Sequence, residues 1–340
     1  MIQQQSPVPT LRQEQRRAEI FAFLKKSQAY IALIAIFATA SIINVKDGRN
    51  LFLDVRNFMN ILRAVSENGI IAIGMTMIIL LGDIDLSVGS VLGLVSTGSA
   101  ALMVKNGLGF IPTVLISLLI GALYGLFNGT VVTRMKIQAF IVTLASMNIA
   151  RGLARFWSGG IGIPLAYGVG PGYAAPEFEW LSARIGGLVP MPSIIYLVLF
   201  LIFWFVMSKT RFGRQIYAVG GNPTAAHLSG INVKRVKTTA FVLCSILAAI
   251  AGMIHSAQVS QGGPNEGIGY ELNAVAAVAI GGTSMAGGKG TVFGTLIGAL
   301  ILGMLDNMLG LKGVNSNLQL VVKGLLIIVA VFAQAVKKED

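Results

Sequence analysis

The chain has little charge, almost no histidine and one cysteine. Only 12% of its 340 residues are charged, while 54% are hydrophobic, and an ordinary soluble domain carries about 25% charged residues. The single Cys244 excludes an internal disulfide or a cysteine metal cluster, and we expect it to be a small buried side chain. The two histidines, His227 and His255, have no carboxylate at metal-ligand spacing. No nucleophile, base and orienting acid can be picked out, so we predict no catalytic residue, no metal site and no cofactor.

Apolar runs dominate the chain, and each is about 17–25 residues long, which is enough to cross a hydrocarbon core of ~30 Å as a helix. The sequence therefore predicts an all-α polytopic membrane protein of about ten transmembrane helices with broken glycine-rich segments. The predicted spans are 28–45, 58–81, 87–104, 109–133, 138–157, 192–208, 237–259, 268–286, 290–309 and 317–335.

The distribution of charge predicts the orientation of these spans. The formal net charge is +12, and the loop 209–236 is rich in lysine and arginine without any acid, while the loop 158–191 holds one arginine against two glutamates. Basic loops lie on the cytoplasmic side, so we predict a cytoplasmic arm 1–27, a transmembrane domain 28–335 with a cytoplasmic loop 209–236, and a cytoplasmic tail 336–340. Basic stripes interleaved with aromatics are missing, and nucleic-acid binding is not expected.

Two glycine-rich segments interrupt the apolar runs: GDIDLSVG, residues 82–89, and GTSMAGGKGT, residues 282–291. The second resembles a phosphate loop but has five residues between Gly282 and the Gly288-Lys289 pair, where a phosphate loop has four. We therefore expect a turn between two helices and no ATP binding by the chain itself. Either segment fits a surface turn or a break inside the membrane.

A ladder of Gly121, Gly125 and Gly129 predicts close helix packing.

The loop TRFGRQIYAVGGNPTAAHLSGINVKRVKTTAF, residues 210–241, contains the signals of a short helix. Asn222 is a suitable helix N-cap, Pro223 suits the first helical position, and Gly230 stops the run that follows. Such a capped helix of about two turns is suited to docking in the groove of another protein. An ordinary amphipathic connector between two spans is the alternative.

Four stretches together resemble the membrane permease subunit of ATP-binding cassette importers for monosaccharides, of the ribose, xylose, arabinose and galactoside type. They are IGMTMIILLGDIDLSVGSVLGL (73–94), KIQAFIVTLASMNIARGL (136–153), KTRFGRQIYAVGGNPTAAHLSGINV (209–233) and GYELNAVAAVAIGGTSMAGGKGTVFGTLIGALILG (269–303). The resemblance implies a homodimer in the bacterial inner membrane, two cytoplasmic ATPase subunits and an external sugar-binding protein. It also implies that the ATPase-coupling helix includes Gly221, Asn222, Pro223, Ala225, Ala226 and Gly230.

Candidate residues of a sugar pathway are the polar groups within or beside the spans. Asp83 departs from several relatives of that type, which have glycine there, so Asp85 and Ser87 are the better candidates in that segment. Asp85 alternatively caps the helix that follows it. The remaining candidates lie within the spans, where interhelical packing is the alternative role; they are Asn128, Thr143, Ser146, Asn148 and Asn307.

Two other functions are alternatives to an ATP-driven importer. A stand-alone secondary transporter driven by an ion gradient usually carries a membrane-embedded carboxylate, and only the Asp83/Asp85 pair fits that role here. A multi-pass enzyme lacks a catalytic constellation. The sequence does not determine which sugar or polyol is moved.

Overall fold

The computed structural model describes residues 28–46 and 48–335, so the predicted arm 1–27 and tail 336–340 lie outside the described residues. A helix occupies each of the ten predicted positions, and two further helices lie in the loop 209–236. In chain order they are α1 Gln28–Ile43, α2 Val55–Leu80, α3 Val88–Val104, α4 Phe110–Met135, α5 Ala139–Ser158, α6 Met191–Lys209, α7 Arg211–Gly221, α8 Pro223–Leu228, α9 Val233–Val259, α10 Tyr270–Ile280, α11 Val292–Leu311 and α12 Ser316–Ala335.

Two-residue strands lie in the loops between the helices. They form three antiparallel pairs: β1 Val45–Lys46 with β2 Arg49–Asn50, β3 Ile163–Pro164 with β6 Gln261–Gly262, and β4 Arg184–Ile185 with β5 Val189–Pro190. A 3-10 helix covers Pro176–Leu181. The β3–β6 pair ties the long loop 159–190 to the segment that follows α9.

The prediction of an all-α polytopic membrane protein is confirmed. Five helices of the described residues are long and apolar enough to cross a membrane by length and composition, namely α2, α4, α6, α9 and α11. Four shorter apolar stretches belong to α1, α3, α10 and α12. Among these five, α2 and α9 are the most enclosed, while α4 and α6 are largely exposed on the outside of the bundle. The shorter α3 is buried along nearly its whole length, from Val88 to Met103.

The glycine ladder on α4 has the predicted packing role. A Cβ on Gly125 would lie 2.4 Å from the carbonyl oxygen of Phe241, and one on Gly129 would lie 2.7 Å from Cα of Thr238. Real Cβ atoms do not approach backbone this closely, so α4 and α9 touch backbone to backbone along the ladder. Cys244, on the same α9, is fully buried as predicted.

Two crossings are helical over only part of their length. The predicted span 268–286 was too long, because α10 holds only 11 residues, or about 16 Å of helix. The non-helical segment 260–269 precedes α10 and lies along α3, where a Cβ on Gly262 would be 2.4 Å from the carbonyl oxygen of Ser96. Non-helical backbone at membrane depth is tolerated where protein encloses it. The segment 82–87 before α3 is the second such break.

The two glycine-rich segments meet on the side of the loop 209–236. The N–H of Gly288 donates to the carbonyl oxygen of Leu80 at 2.9 Å, and Gly220 of α7 packs between them. The turn 282–291 uses its own amides internally, since Ser284 N–H donates to Lys289 and Gly287 N–H donates to Ser284. This segment is a turn between two helices, as the spacing predicted.

Gly220 and Gly221 offer a direct test of this junction. A Cβ on Gly220 would lie 1.7 Å from the Leu80 carbonyl oxygen, whereas a Cβ on Gly221 would meet nothing within 4 Å among the described residues. We expect Gly220→Ala to lower the melting temperature of the detergent-purified protein, because the methyl group pushes the end of α7 off the junction. Gly221→Ala is the control and should melt within a degree or two of wild type. Equal melting of both variants would contradict the junction.

Candidate functional site

Four of the seven predicted pathway candidates lie together inside the bundle. Asp85 and Ser87 stand at the start of α3, Asn128 comes from α4, and Thr143 comes from α5. All four are fully buried. The break before α3 brings three different elements to one polar cluster, which we name the Asp85 cluster.

Hydrogen bonds connect the members of the Asp85 cluster. Oδ1 of Asp85 accepts from the N–H of Ser87 at 2.9 Å and from its Oγ at 2.6 Å. Nδ2 of Asn128 donates to the same Ser87 hydroxyl at 2.9 Å. Thr143 donates to the carbonyl oxygen of Ile84 at 3.2 Å. The polar groups of the break are thus served by α4 and α5, which fixes the break in the apolar bundle.

Two oxygens of the cluster have no partner within the described part of the chain. They are Oδ2 of Asp85 and Oδ1 of Asn128. A buried acceptor without a donor is costly, and a hydroxyl-bearing ligand or a water molecule offers the donor that each oxygen lacks. The cluster therefore keeps acceptor capacity that its own hydrogen bonds do not use.

The capping interpretation of Asp85 needs a correction in its position. The helix begins at Val88, and Ser87 stands at the N-cap without a side-chain capping bond. The carboxylate of Asp85 instead caps the turn just before α3, where it accepts from Ser87 N–H and lies near the positive end of the helix.

Asn148 and Asn307 do not belong to the cluster. Asn148 is exposed on α5 and donates to the carbonyl oxygen of Leu144 in its own helix. Asn307 of α11 forms a reciprocal amide pair with Asn57 of α2, at 3.0 and 2.8 Å. The packing alternative accounts for Asn307. Ser146 of α5 is buried and bonds to the carbonyl oxygen of Thr143.

Asp83 has a structural partner that the sequence does not reveal. Its Oδ2 lies 2.7 Å from Nζ of Lys237, near the start of α9, and both side chains are largely buried. The pair links the break before α3 to α9. The two residues are 154 positions apart, so no local pattern predicts their contact.

The short helix in the loop 209–236 forms as the sequence predicts. Asn222 caps α8, and its side chain accepts from Ala225 N–H at 3.0 Å with Pro223 at the first turn. The chain leaves the helix through Gly230 at φ +83°. Ala226 is buried against the rest of the molecule, while Leu228 is 82% exposed. The sequence did not predict α7, which leads directly into α8 and contacts Leu80 at the end of α2 and Gly288 in the turn before α11.

A groove of about 1020 Å³ opens beside α8. Its walls combine α8 and the start of α9 with the turn between α4 and α5, and Asp83 and Lys237 stand in its lining. The groove thus adjoins both the exposed short helix and the break that leads to the Asp85 cluster.

A second polar network, which the sequence analysis missed, surrounds His255 of α9. Nδ1 of His255 lies 2.8 Å from Glu67 of α2, and Nε2 lies 2.8 Å from Glu266. Tyr270 donates its hydroxyl to the same Glu67 carboxylate at 2.9 Å. Among the described residues, no group of three or more histidine, cysteine, aspartate or glutamate side chains is arranged to hold a metal ion. The network joins α2, α9 and α10 to the non-helical segment 260–269.

Ionisable residues inside the predicted spans are a sequence signal for this network. Glu67, Arg151, Arg155 and His255 are ionisable residues inside predicted spans. Charged side chains inside a membrane are rare and face a partner or a cavity. Attention to these positions would have indicated a polar interior beyond the asparagine and threonine candidates.

Among the described residues, nine apolar helices and α5 enclose a buried polar cluster, and a capped short helix is exposed at one end. This arrangement is that of a polytopic membrane permease. The chain belongs to the family described as "Branched-chain amino acid transport system / permease component", whose model matches residues 57–331.

The relatives refine this assignment. The chain is 43% identical over 324 residues to the ribose import permease protein RbsC of Haemophilus influenzae, covering 95% of this chain and 97% of that protein. It is 41% identical to RbsC of Bacillus subtilis over 94% of this chain and 96% of that protein. It is 34% identical to the xylose transport system permease protein XylH of H. influenzae, over 92% and 97% respectively. No solved structure matches the chain.

These relatives confirm the resemblance to permease subunits of monosaccharide importers. They are named as permeases, so the chain is a multi-pass transport subunit and not an enzyme.

Substitution of Asp85 tests how much the hydrogen bonds of the Asp85 cluster contribute to protein stability. Asp85→Leu removes the acceptor for two Ser87 donors, which leaves buried polar groups unpaired at a cost of about 1–3 kcal/mol each. We expect a clear fall in the melting temperature of the purified protein. Asp85→Asn keeps an oxygen acceptor and is the matched control, which should lose much less. A leucine variant as stable as the asparagine variant would show that these hydrogen bonds contribute nothing.

Proposed function

We propose that this chain is the membrane-spanning subunit of an ATP-driven importer in a bacterial inner membrane, and that it translocates a monosaccharide, ribose or a related pentose or hexose. The relatives named for ribose and xylose match it from end to end, and the two ribose permeases are more identical to it than the xylose permease. A neutral sugar suits the Asp85 cluster, because its free acceptors match hydroxyl donors.

The observation that carries the ATP-driven part of the proposal is α8. It is a capped helix with Thr224, Ala225, His227 and Leu228 exposed at one end of the bundle. An exposed leucine on a rigid short helix is suited to an apolar groove of a partner. The partner in this proposal is a separate ATP-binding cassette subunit, which docks at α8 and hydrolyses ATP.

A movement of α8 can be transmitted into the bundle through the contacts of α7. The C-terminal end of α7 precedes α8 directly, and Gly220 there touches both Leu80 and Gly288. Leu80 ends α2 just before the break that holds Asp85, and Gly288 lies in the turn before α11. In this proposal, closure of two ATPase subunits around α8 therefore pulls on the break before α3 and on the turn before α11.

Two further partners belong to the proposal. A second copy of the chain completes the passage, so the complex is a homodimer, and an external sugar-binding protein delivers the sugar to the side opposite α8. The loop 159–190, tied down by the β3–β6 and β4–β5 pairs, lies on that side and is suited to receive it.

The ion-coupled alternative has less support. Asp83 is neutralised by Lys237 at 2.7 Å, and Asp85 already accepts two hydrogen bonds from Ser87. Of the four carboxylate oxygens, Oδ2 of Asp85 is buried without a hydrogen-bond partner among the described residues, and a neutral hydroxyl donor suits it as well as an ion does.

The proposed function is tested by uptake of radiolabelled ribose, xylose and galactose in cells that lack their own importers. Cells expressing this chain with its ATPase and binding protein should accumulate at least one of these sugars, and uptake should survive a proton ionophore as long as ATP is present. Uptake by the chain alone, or collapse of uptake with the ionophore at normal ATP, would favour the secondary transporter.

Leu228 tests the docking role of α8. Because the side chain is 82% exposed, Leu228→Asp should leave the membrane fold intact while it places a charge in the apolar contact with the ATPase. We expect at least a tenfold loss of uptake and loss of the ATPase from affinity-purified complexes. Leu228→Met keeps an apolar side chain and should behave as wild type. An aspartate variant that still retains the ATPase would argue against docking at α8.

A further inference from the structure

The exposed faces of α4 and α6 are apolar, whereas the exposed face of α5 carries polar side chains. Between residues 113 and 133 every exposed residue of α4 is leucine or phenylalanine, and between 191 and 207 every exposed residue of α6 is apolar or aromatic. These faces suit contact with lipid. The exposed face of α5 instead carries Asn148 near the middle of the 20-residue helix, and Arg155 two turns further on.

A polar side chain at this depth does not face lipid. Asn148 lies about 13 Å along α5 from its first residue, and only its Nδ2 is used, in a bond to Leu144 of its own helix. Its Oδ1 makes no bond to the described residues and is available as an acceptor. Polar groups in the membrane face a cavity or a partner, so the exposed face of α5 borders water or bound solute.

Gly152 leaves a recess between these polar groups. It lies one turn after Asn148 and one turn before Phe156, and a Cβ placed on it would meet nothing within 4 Å among the described residues. Phe156 is 89% exposed. The recess is thus bounded by an amide at one end and by an aromatic ring and Arg155 at the other.

The non-helical segment 260–269 adds a second polar wall. Asn265 is exposed, and its Oδ1 accepts from Nε and Nη2 of Arg155 at 3.1 and 2.9 Å. Its amide nitrogen makes no bond to the described residues and remains a donor.

The segment is held in place from behind. Arg151 donates to the carbonyl oxygens of Pro264 and Glu266, and His255 holds the Glu266 carboxylate. The network around His255 therefore acts as a support for the surface that presents Asn265.

We propose that Asn148, Gly152, Arg155, Phe156 and Asn265 form a monosaccharide-binding surface in the passage, and that the Gly152 recess receives the sugar ring. Hydroxyl groups both donate and accept, which matches an open amide acceptor at Asn148 and open donors at Asn265 and Arg155. The apolar face of a sugar ring fits the Phe156 ring. This inference rests on the proposed function, since it assumes that a neutral sugar passes along α5.

Filling the recess is the direct test. Gly152→Leu should reduce uptake of the labelled sugar that the wild-type complex imports by at least tenfold, without change in the amount of protein in the membrane or in ATPase activity of the assembled complex. Gly324→Leu is the matched control, because Gly324 is also a helical glycine with open space, on the apolar face of α12. Its uptake should stay within twofold of wild type.

The results of this experiment distinguish failure of the proposed function from failure of the proposed binding surface. If the wild-type complex imports none of the tested sugars, the proposed function itself fails. If wild type imports sugar and Gly152→Leu does so within twofold, only the binding surface is wrong. If Gly152→Leu abolishes assembly with the second copy or the ATPase, the face is a contact between subunits, and the inference is also overturned.

A cysteine reporter keeps the test decisive if the leucine variant folds poorly. The only native cysteine, Cys244, is buried, so Gly152→Cys adds a single accessible thiol. A water-soluble maleimide should label Gly152→Cys in the assembled complex, more slowly with the sugar present, and should not label Gly324→Cys. An unreactive Gly152→Cys, or labelling that ignores the sugar, would overturn the binding surface.

Discussion

Backbone polar groups inside an apolar bundle must find partners within the protein, and this constraint organises the molecule around its two broken crossings. The segment before α3 and the segment before α10 lack helical hydrogen bonds, so side chains from neighbouring helices serve them. Thr143 of α5 and Asn128 of α4 bond to the first break, and Arg151 of α5 bonds to two carbonyl oxygens of the second. Elsewhere the helices satisfy themselves. Polar side chains therefore concentrate at the breaks, and the breaks lie next to both proposed sites.

The constraint also explains the use of glycine. Where broken chain packs on helix, the backbones touch, as at Gly262 against Ser96 and Gly220 against Leu80. Gly152 differs from these positions, because a Cβ there would meet no described atom. A helical glycine with no packing neighbour lowers helix stability relative to alanine. In our proposal, Gly152 is offset by the space that it leaves for the sugar. In the proposed importer, the junction of α7 with Leu80 and Gly288 connects motion at α8 to the break before α3 and to the turn 282–291.

Much of the architecture was predictable because it is local. Apolar runs of membrane length marked all ten helix positions, and Asn222, Pro223 and Gly230 marked the start and end of α8 through their own backbone chemistry. The ladder of Gly121, Gly125 and Gly129 predicted a close helix contact, although not the identity of α9 as its partner. The length of α10 was overestimated, since the composition of an apolar run does not distinguish helix from enclosed extended chain.

The sequence by itself determined that this chain lies in a membrane, where its apolar helices fall along the chain, and where a capped short helix forms, because hydropathy and capping depend on neighbouring residues. Only the tertiary structure decided which polar residues act together. It gathered Asp85, Ser87, Asn128 and Thr143, left Asn148 on an open face, and paired Asn307 with Asn57. It also joined Asp83 to Lys237 and His255 to two glutamates. These contacts link residues far apart in the chain, and they follow from which helices lie side by side, which no local pattern specifies.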